Sequence, residues 1–203
     1  MNPVAITLRQ LAAAHKEFER SEPRDLFYRV AIELIDLSLR GETQVTLPEA
    51  LAVLLQTWNK ALYRFHPFDD KHFAKIEAAV EDNRRILLAF RERSIDDFDS
   101  KDEPAVERLF SHFEEVLGPV GAAKSIHLLA PRFFPIWDRE IAKAYGVPLK
   151  AKGRNVVGYI RFMAQAKEQV ERLGGEAAVG RNPLKAIDEY NYCEYTKKHW
   201  KSP

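Results

Sequence analysis

The chain has 203 residues, 46% hydrophobic and 30% charged, the balance of an ordinary folded protein with room for one sizeable domain. A single cysteine, Cys193, excludes an internal disulfide framework and a cysteine-held cluster, so a reducing, cytoplasmic setting is expected. No apolar run approaches the ~18 uncharged residues of a membrane span, and "MNPVAITLRQ" lacks the basic-then-apolar pattern of a secretory leader, so neither is expected.

The pattern is helical almost throughout. In "ITLRQLAAAHKEFER", Ile6, Leu8, Leu11, Ala12, His15 and Phe18 recur at spacings of three and four, which predicts a first helix that wraps back onto the rest. "PRDLFYRVAIELIDLSLRG" follows, opened by a proline and closed by Gly41. "TLPEALAVLLQTWNKALYRF" begins with a capping box, Thr46 and Glu49. "DDKHFAKIEAAVEDNRRILLAFRERS" reads as one long helix, with Asp69 and Asp70 at its positive end and Arg91 and Arg93 at its negative end.

After the turn-rich "SIDDFDSKDEP", the spacing predicts a helix over 104–117, a tight turn at "LGPVG", and a helix over 122–130. Asp138 then caps "REIAKAYG". "GRNVVGYIRFMAQAKEQVERLGG" and "NPLKAIDEYNYCEYTKKHW" supply two more helices across a Gly-rich loop at 174–180. No segment alternates with period two. The expectation is an all-α fold of about eight helices: one helical domain over 1–203, built from two packed lobes, 1–95 and 104–203, with a central helix-hairpin-helix.

The net charge of +1 hides an asymmetry. Residues 1–120 carry 16 Lys and Arg against 22 Asp and Glu, whereas 121–203 carry 15 against 8. Between Glu140 and Glu168 there is no acid, while Lys143, Lys150, Lys152, Arg154, Arg161 and Lys167 all lie there. Such a run is an electrostatic footprint for a polyanion.

Several chemistries find no support. The histidines show no His-x-x-x-His pair, and His66 and His72 in "FHPFDDKHF" suit no zinc motif, so no metal and no cofactor is expected. No phosphate-binding glycine motif and no G-x-S-x-G occurs, and Cys193 has no histidine beside it to activate it.

"LGPVGAAK" and "WDREI" are different. A glycine-bracketed turn between two helices can hold a phosphate oxygen on backbone N–H groups without reading sequence. Together these motifs resemble the helix-hairpin-helix DNA glycosylases of the endonuclease III type, whose hairpin "LPGVG-x-K" precedes an apolar helix and a "VD-x-x-[VI]" segment. The likeness covers about 30 residues, 116–146, and departs from the family in three ways: the lysine stands one residue further from the second glycine, the link from Lys124 to Asp138 is shorter, and the terminal Cys₄ iron–sulfur site, which many members lack, is absent. It implies a base-excising enzyme acting on double-stranded DNA, with Lys124 as a Schiff-base nucleophile at the sugar C1′ and Asp138 activating the nucleophile or stabilising the cationic sugar. Gly118, Val120 and Gly121 would then contact phosphates, with Lys150, Lys152 and Arg154 beside them.

Excision of a base requires an aromatic-walled pocket with polar groups on the base edge. The aromatic- and amide-rich stretches around 58–66 and 190–200 are the candidates, with Trp58, Asn59, Tyr190, Asn191 and Tyr192, and His127 one helical turn beyond Lys124. Two other classes fit the same residues: a non-catalytic helical nucleic-acid-binding module that keeps the hairpin for phosphates, and a protein-interaction module. In both, Lys124 and Asp138 are helix punctuation.

Overall fold

The computed structural model describes residues 5–23, 25–64, 67–197 and 200; His66 of the histidine pair above lies outside them. Among the described residues every regular element is helical. The helices are α1 (Leu8–Ser21), α2 (Asp25–Arg40), α3 (Leu47–Trp58), α4 (Lys60–Tyr63), α5 (Asp70–Glu81), α6 (Arg84–Arg91), α7 (Glu103–Leu129), α8 (Arg139–Ala144), α9 (Val156–Leu173), α10 (Gly175–Val179) and α11 (Pro183–Asn191). A π-helical turn (Tyr192–Thr196) continues α11.

Local chemistry sets most ends. Thr46 and Glu49 form the expected capping box on α3, and Thr7 with Gln10 does the same for α1. Asp69 caps α5, and Gly174, in the left-handed region, closes α9.

Two long helices expected from periodicity are broken, each at an asparagine. The Asn83 side chain donates to the Ala79 carbonyl and lies within hydrogen-bonding distance of His112, competing with the helical ladder and separating α5 from α6. Asn59 separates α3 from α4 and donates to the Leu117 carbonyl on α7. Part of the expected loop at 174–180 is the short helix α10.

The hairpin region is continuous as α7, with one interruption: Gly118 takes φ 70°, ψ 172°. A residue with a Cβ disfavours that conformation, and Pro119 restarts the helix with its fixed φ. The second half thus begins at 119 rather than at 122.

Most of the buried hydrophobic residues form one continuous cluster that runs from Ile6 to Tyr190. α1 packs on α11, α2 on α3, and α7 sits against α5, α6 and α9. At the centre, fully buried Trp137 packs edge-on to Phe110 and Tyr159 and tilted over Phe162, at centroid distances of 6.0, 5.0 and 5.6 Å. Removing such a side chain leaves a cavity that costs about 3–5 kcal/mol. Trp137 thereby fixes the link between α7 and α8, and with it the position of its neighbour Asp138. No helix among the described residues is long and apolar enough to cross a membrane.

Candidate functional site

Lys124 and Asp138, fourteen residues apart in sequence, line the same cleft. Its walls are Phe18 of α1, Trp58 of α3, Trp137, Ile141 of α8 and Tyr192, with Glu22 and Asp188 as further polar groups. The cleft is narrow, with a cavity volume of about 80 Å³, below the ~300–1,000 Å³ of small-molecule sites.

The kink in α7 positions the lysine. The two carbonyls flanking Gly118 each receive a side-chain N–H: Asn59 donates to Leu117 O at 3.3 Å and the Trp137 indole to Pro119 O at 3.0 Å. Gly121 is required by close approach, because a Cβ there would meet Asn59 Nδ2 and Leu117 Cβ, each at 2.7 Å. On the restarted helix, Lys124 Nζ donates to Trp58 O at 2.7 Å and lies 5.4 Å from the indole centroid. That contact anchors the amine at the cleft wall with cation–π support.

Asp138 is the N-cap of α8. Its Oδ1 accepts from Ile141 N–H at 2.9 Å, and its Oδ2 accepts from the Thr196 hydroxyl at 2.7 Å. Capping is therefore real, and it also fixes the carboxylate in the cleft wall.

Below lies an ionic network that the sequence reading did not identify. Lys185, 6% exposed, has its Nζ 3.1 Å from Asp25, 3.5 Å from Glu189 and 3.7 Å from Asp188, and sits over the rings of Phe18 and Tyr28 at 4.3 and 4.7 Å. Glu189 also pairs with Arg181 at 2.6 Å and approaches His15 at 2.9 Å. Tyr192 donates to Glu22 at 2.6 Å.

Asp188, 8% exposed, reaches the cleft from this network. Burial raises its pKa to about 6; Lys185 opposes the shift, Glu189 and Asp138 add to it, and Lys124 opposes it. A carboxyl group titrating near neutrality in a cleft is suited to moving protons. The sequence signal was present but weak: Asp188 and Tyr192 stand four apart, on one face of a helical segment whose neighbours are aromatic.

Of the residues expected around a base, Trp58 and Tyr192 join Lys124 and Asp138 in the cleft. Four others do not line it. Asn59 is spent on the kink. Asn191 accepts from the Tyr145 hydroxyl at 3.1 Å, and Tyr190 is buried edge-on to Trp200.

His127 is wholly buried, with Nδ1 2.6 Å from Phe134 O and Nε2 3.1 Å from the Tyr28 hydroxyl. Because a carbonyl only accepts, Nδ1 carries the hydrogen and Nε2 receives the tyrosine proton. Burial drives its pKa down to about 4, against the hydrogen bond to Phe134 and reinforced by Lys185. It is a neutral packing residue.

A second cleft lies beside the first, with Trp137 as a wall of both. It is lined by Lys150, Arg154 and Arg161 together with Gly146, Val147, Asn155 and Gly158 at the head of α9. Lys150, Lys152, Arg154 and Arg161 are exposed, and none forms an ion pair among the described residues. The buried Glu114 of α7 ties this loop down, accepting from Gly153 N–H at 2.9 Å and from the Asn155 amide. Gly118 and Gly121 shape the kink, and Val120 is half-buried between them. Comparison with protein-family models, with curated proteins and with solved structures returned no match.

Proposed function

We propose that this protein is a DNA glycosylase that cleaves the N-glycosidic bond of a damaged or modified base turned out of the duplex. The observation that carries the reading is the meeting of Lys124 and Asp138 in one aromatic-walled cleft, beside an uncompensated basic one. In this reading the duplex backbone lies along Lys150, Lys152, Arg154 and Arg161 through sequence-independent phosphate contacts. The extruded base enters the first cleft, whose walls include Phe18, Trp58, Trp137 and Tyr192.

As the bond to the base lengthens, positive charge builds on the sugar. Asp138, held at both oxygens, is a preorganised negative charge for that transition state. Lys124 supplies an amine for attack at C1′ and gives a Schiff base, which makes the enzyme bifunctional. The indole and backbone carbonyl of Trp58 keep that amine at the cleft wall.

The test uses end-labelled duplexes carrying a panel of damaged and modified bases, with wild type, Asp138→Asn and Lys124→Ala. Hot alkali reports abasic sites and borohydride traps the Schiff base. Alkali-sensitive product that falls at least ~100-fold with Asp138→Asn, and trapping that disappears with Lys124→Ala, are expected. Salt-sensitive DNA binding with no product on any base would make the protein a non-catalytic binding module instead.

A further inference from the structure

We propose that Asp188 is the proton acceptor for Lys124, a catalytic role separate from that of Asp138; this rests on the glycosylase reading above. An ammonium at neutral pH has no lone pair, so a lysine nucleophile needs a base within its own site. Asp138 is poorly placed for that task, since each of its oxygens already accepts a hydrogen bond, from Ile141 N–H and from Thr196. Asp188 differs. No hydrogen bond among the described residues ends on its carboxylate, its nearest cation is Lys185 at 3.7 Å, and it opens into the cleft that Lys124 lines.

The charges around Asp188 come from every side. Lys185 and Glu189 share α11 with it, and Asp25 of α2 reaches it through Lys185. Tyr28 of α2 also feels its charge. Lys124 of α7 and Asp138 at the head of α8 act on it electrostatically and line the same cleft, with Glu22 and Tyr192. Burial holds its pKa near 6. The carboxylate is therefore ionised at neutral pH, yet far more basic than an exposed aspartate.

The step balances without an outside reagent. Lys124 and Asp188 line one cleft without forming an ion pair, so the Asp188 carboxylate takes one proton from the Lys124 ammonium through a single bridging water. The freed lone pair forms the N–C1′ bond as the bond from C1′ to the base breaks, its electron pair going to the base nitrogen. The proton on Asp188 then passes to the departing base and restores the carboxylate. With a ready-made abasic aldehyde the same amine adds to the carbonyl carbon, and the proton leaves with the oxygen as water.

That second reaction allows a test that needs no knowledge of the base. A duplex with a single abasic site is incubated with cyanoborohydride and wild type, Asp188→Asn, Asp188→Glu or Lys124→Ala, and the covalent adduct is followed between pH 5 and 9. Wild-type trapping should rise with pH through about 6 and level off. Asp188→Asn should trap on the order of 100-fold more slowly at pH 7, in line with a lost general base, and show no inflection near 6. Asp188→Glu should restore part of the rate, and Lys124→Ala should abolish trapping.

An Asp188→Asn profile that matches wild type overturns the proposal and leaves the glycosylase reading standing. So does a wild type that releases bases from the panel but traps nothing. A wild type that neither traps nor releases any base overturns both. Thermal melts of each variant separate lost chemistry from lost fold.

Discussion

The Thr196 hydroxyl donates a 2.7 Å hydrogen bond to Asp138 Oδ2, joining the π-helical turn at the end of the chain to the first residue of α8. With Oδ1 committed to the helix cap, the carboxylate cannot turn away from the cleft. Structure and charge are thus superimposed on one side chain, and mutation can separate them. Asparagine caps helices as well as aspartate does, so Asp138→Asn should leave stability within about 0.5 kcal/mol of wild type while removing the charge. Asp138→Ala should lose the cap too, costing about 1–2 kcal/mol. Urea unfolding beside the base-release assay measures both effects. Loss of activity in Asp138→Ala alone would make this residue a cap and nothing more.

The two glycines of the hairpin fail for different reasons. At Gly118 nothing lies within 4 Å of an added Cβ, and the cost of Gly118→Ala is the backbone conformation itself, φ 70° with ψ 172°, about 1–3 kcal/mol. At Gly121 the backbone is ordinary but the space is taken, by Asn59 Nδ2 and Leu117 Cβ. Gly121→Ala should cost about 1–3 kcal/mol by overpacking. It should also displace Asn59 from Leu117 O, whereas Gly118→Ala leaves that contact in place. Pairing Gly121→Ala with Asn59→Ala should recover part of the loss in denaturant midpoint, and no recovery would refute the steric account.

Two buried groups give opposite pH dependences. His127 has its pKa lowered from 6.5 to about 4, so the unfolded chain binds more protons between those values, and stability falls as pH drops from 6.5 to 4. Asp188 has its pKa raised from 3.8 to about 6; its contribution is present below 3.8 and is lost as pH rises through 6. Each amounts to about 3 kcal/mol at most, at 1.36 kcal/mol per pKa unit, and the two nearly cancel in the wild type. Asp188→Asn should therefore be more stable than wild type at pH 7.5, by about 2 kcal/mol, and lose stability steeply between pH 6.5 and 4. Urea midpoints across that range test this, and a variant less stable at pH 7.5 would contradict it. A buried carboxylate retained at a cost to stability is typical of a working residue.

The basic cleft makes a quantitative claim about salt. Each phosphate contact contributes about 0.9 to the slope of log affinity against log salt. Replacing Lys150, Lys152 and Arg154 with alanine should lower that slope by about two to three units and leave folding intact, because all three side chains are exposed. Fluorescence anisotropy on a duplex at several salt concentrations reads the slope directly. An unchanged slope would remove this cleft from the DNA path.

What the sequence by itself determined was whatever neighbours three or four residues apart control. The all-α class, the capping box at Thr46 and Glu49, the cap at Asp138 and the break at Gly118 followed by Pro119 all depend on one turn of chain. Lys124 and Asp138 were each legible for the same reason, since each belongs to a local motif; that they line one cleft is a tertiary fact.

The tertiary structure decided everything that depends on distant partners. Periodicity cannot reveal that Asn83 bonds back to Ala79 beside His112, nor that Asn59 reaches Leu117 across 58 residues, so two helices read as continuous are divided. His127 looked like a cleft residue because it follows Lys124 by one turn; Tyr28, 99 residues earlier, makes it a core residue. Asp188 escaped notice because its significance comes from burial and from charges on α2, α7 and the head of α8, contributed by segments remote in sequence. Desolvation and ion pairing act through space, and only the packed chain brings those groups together.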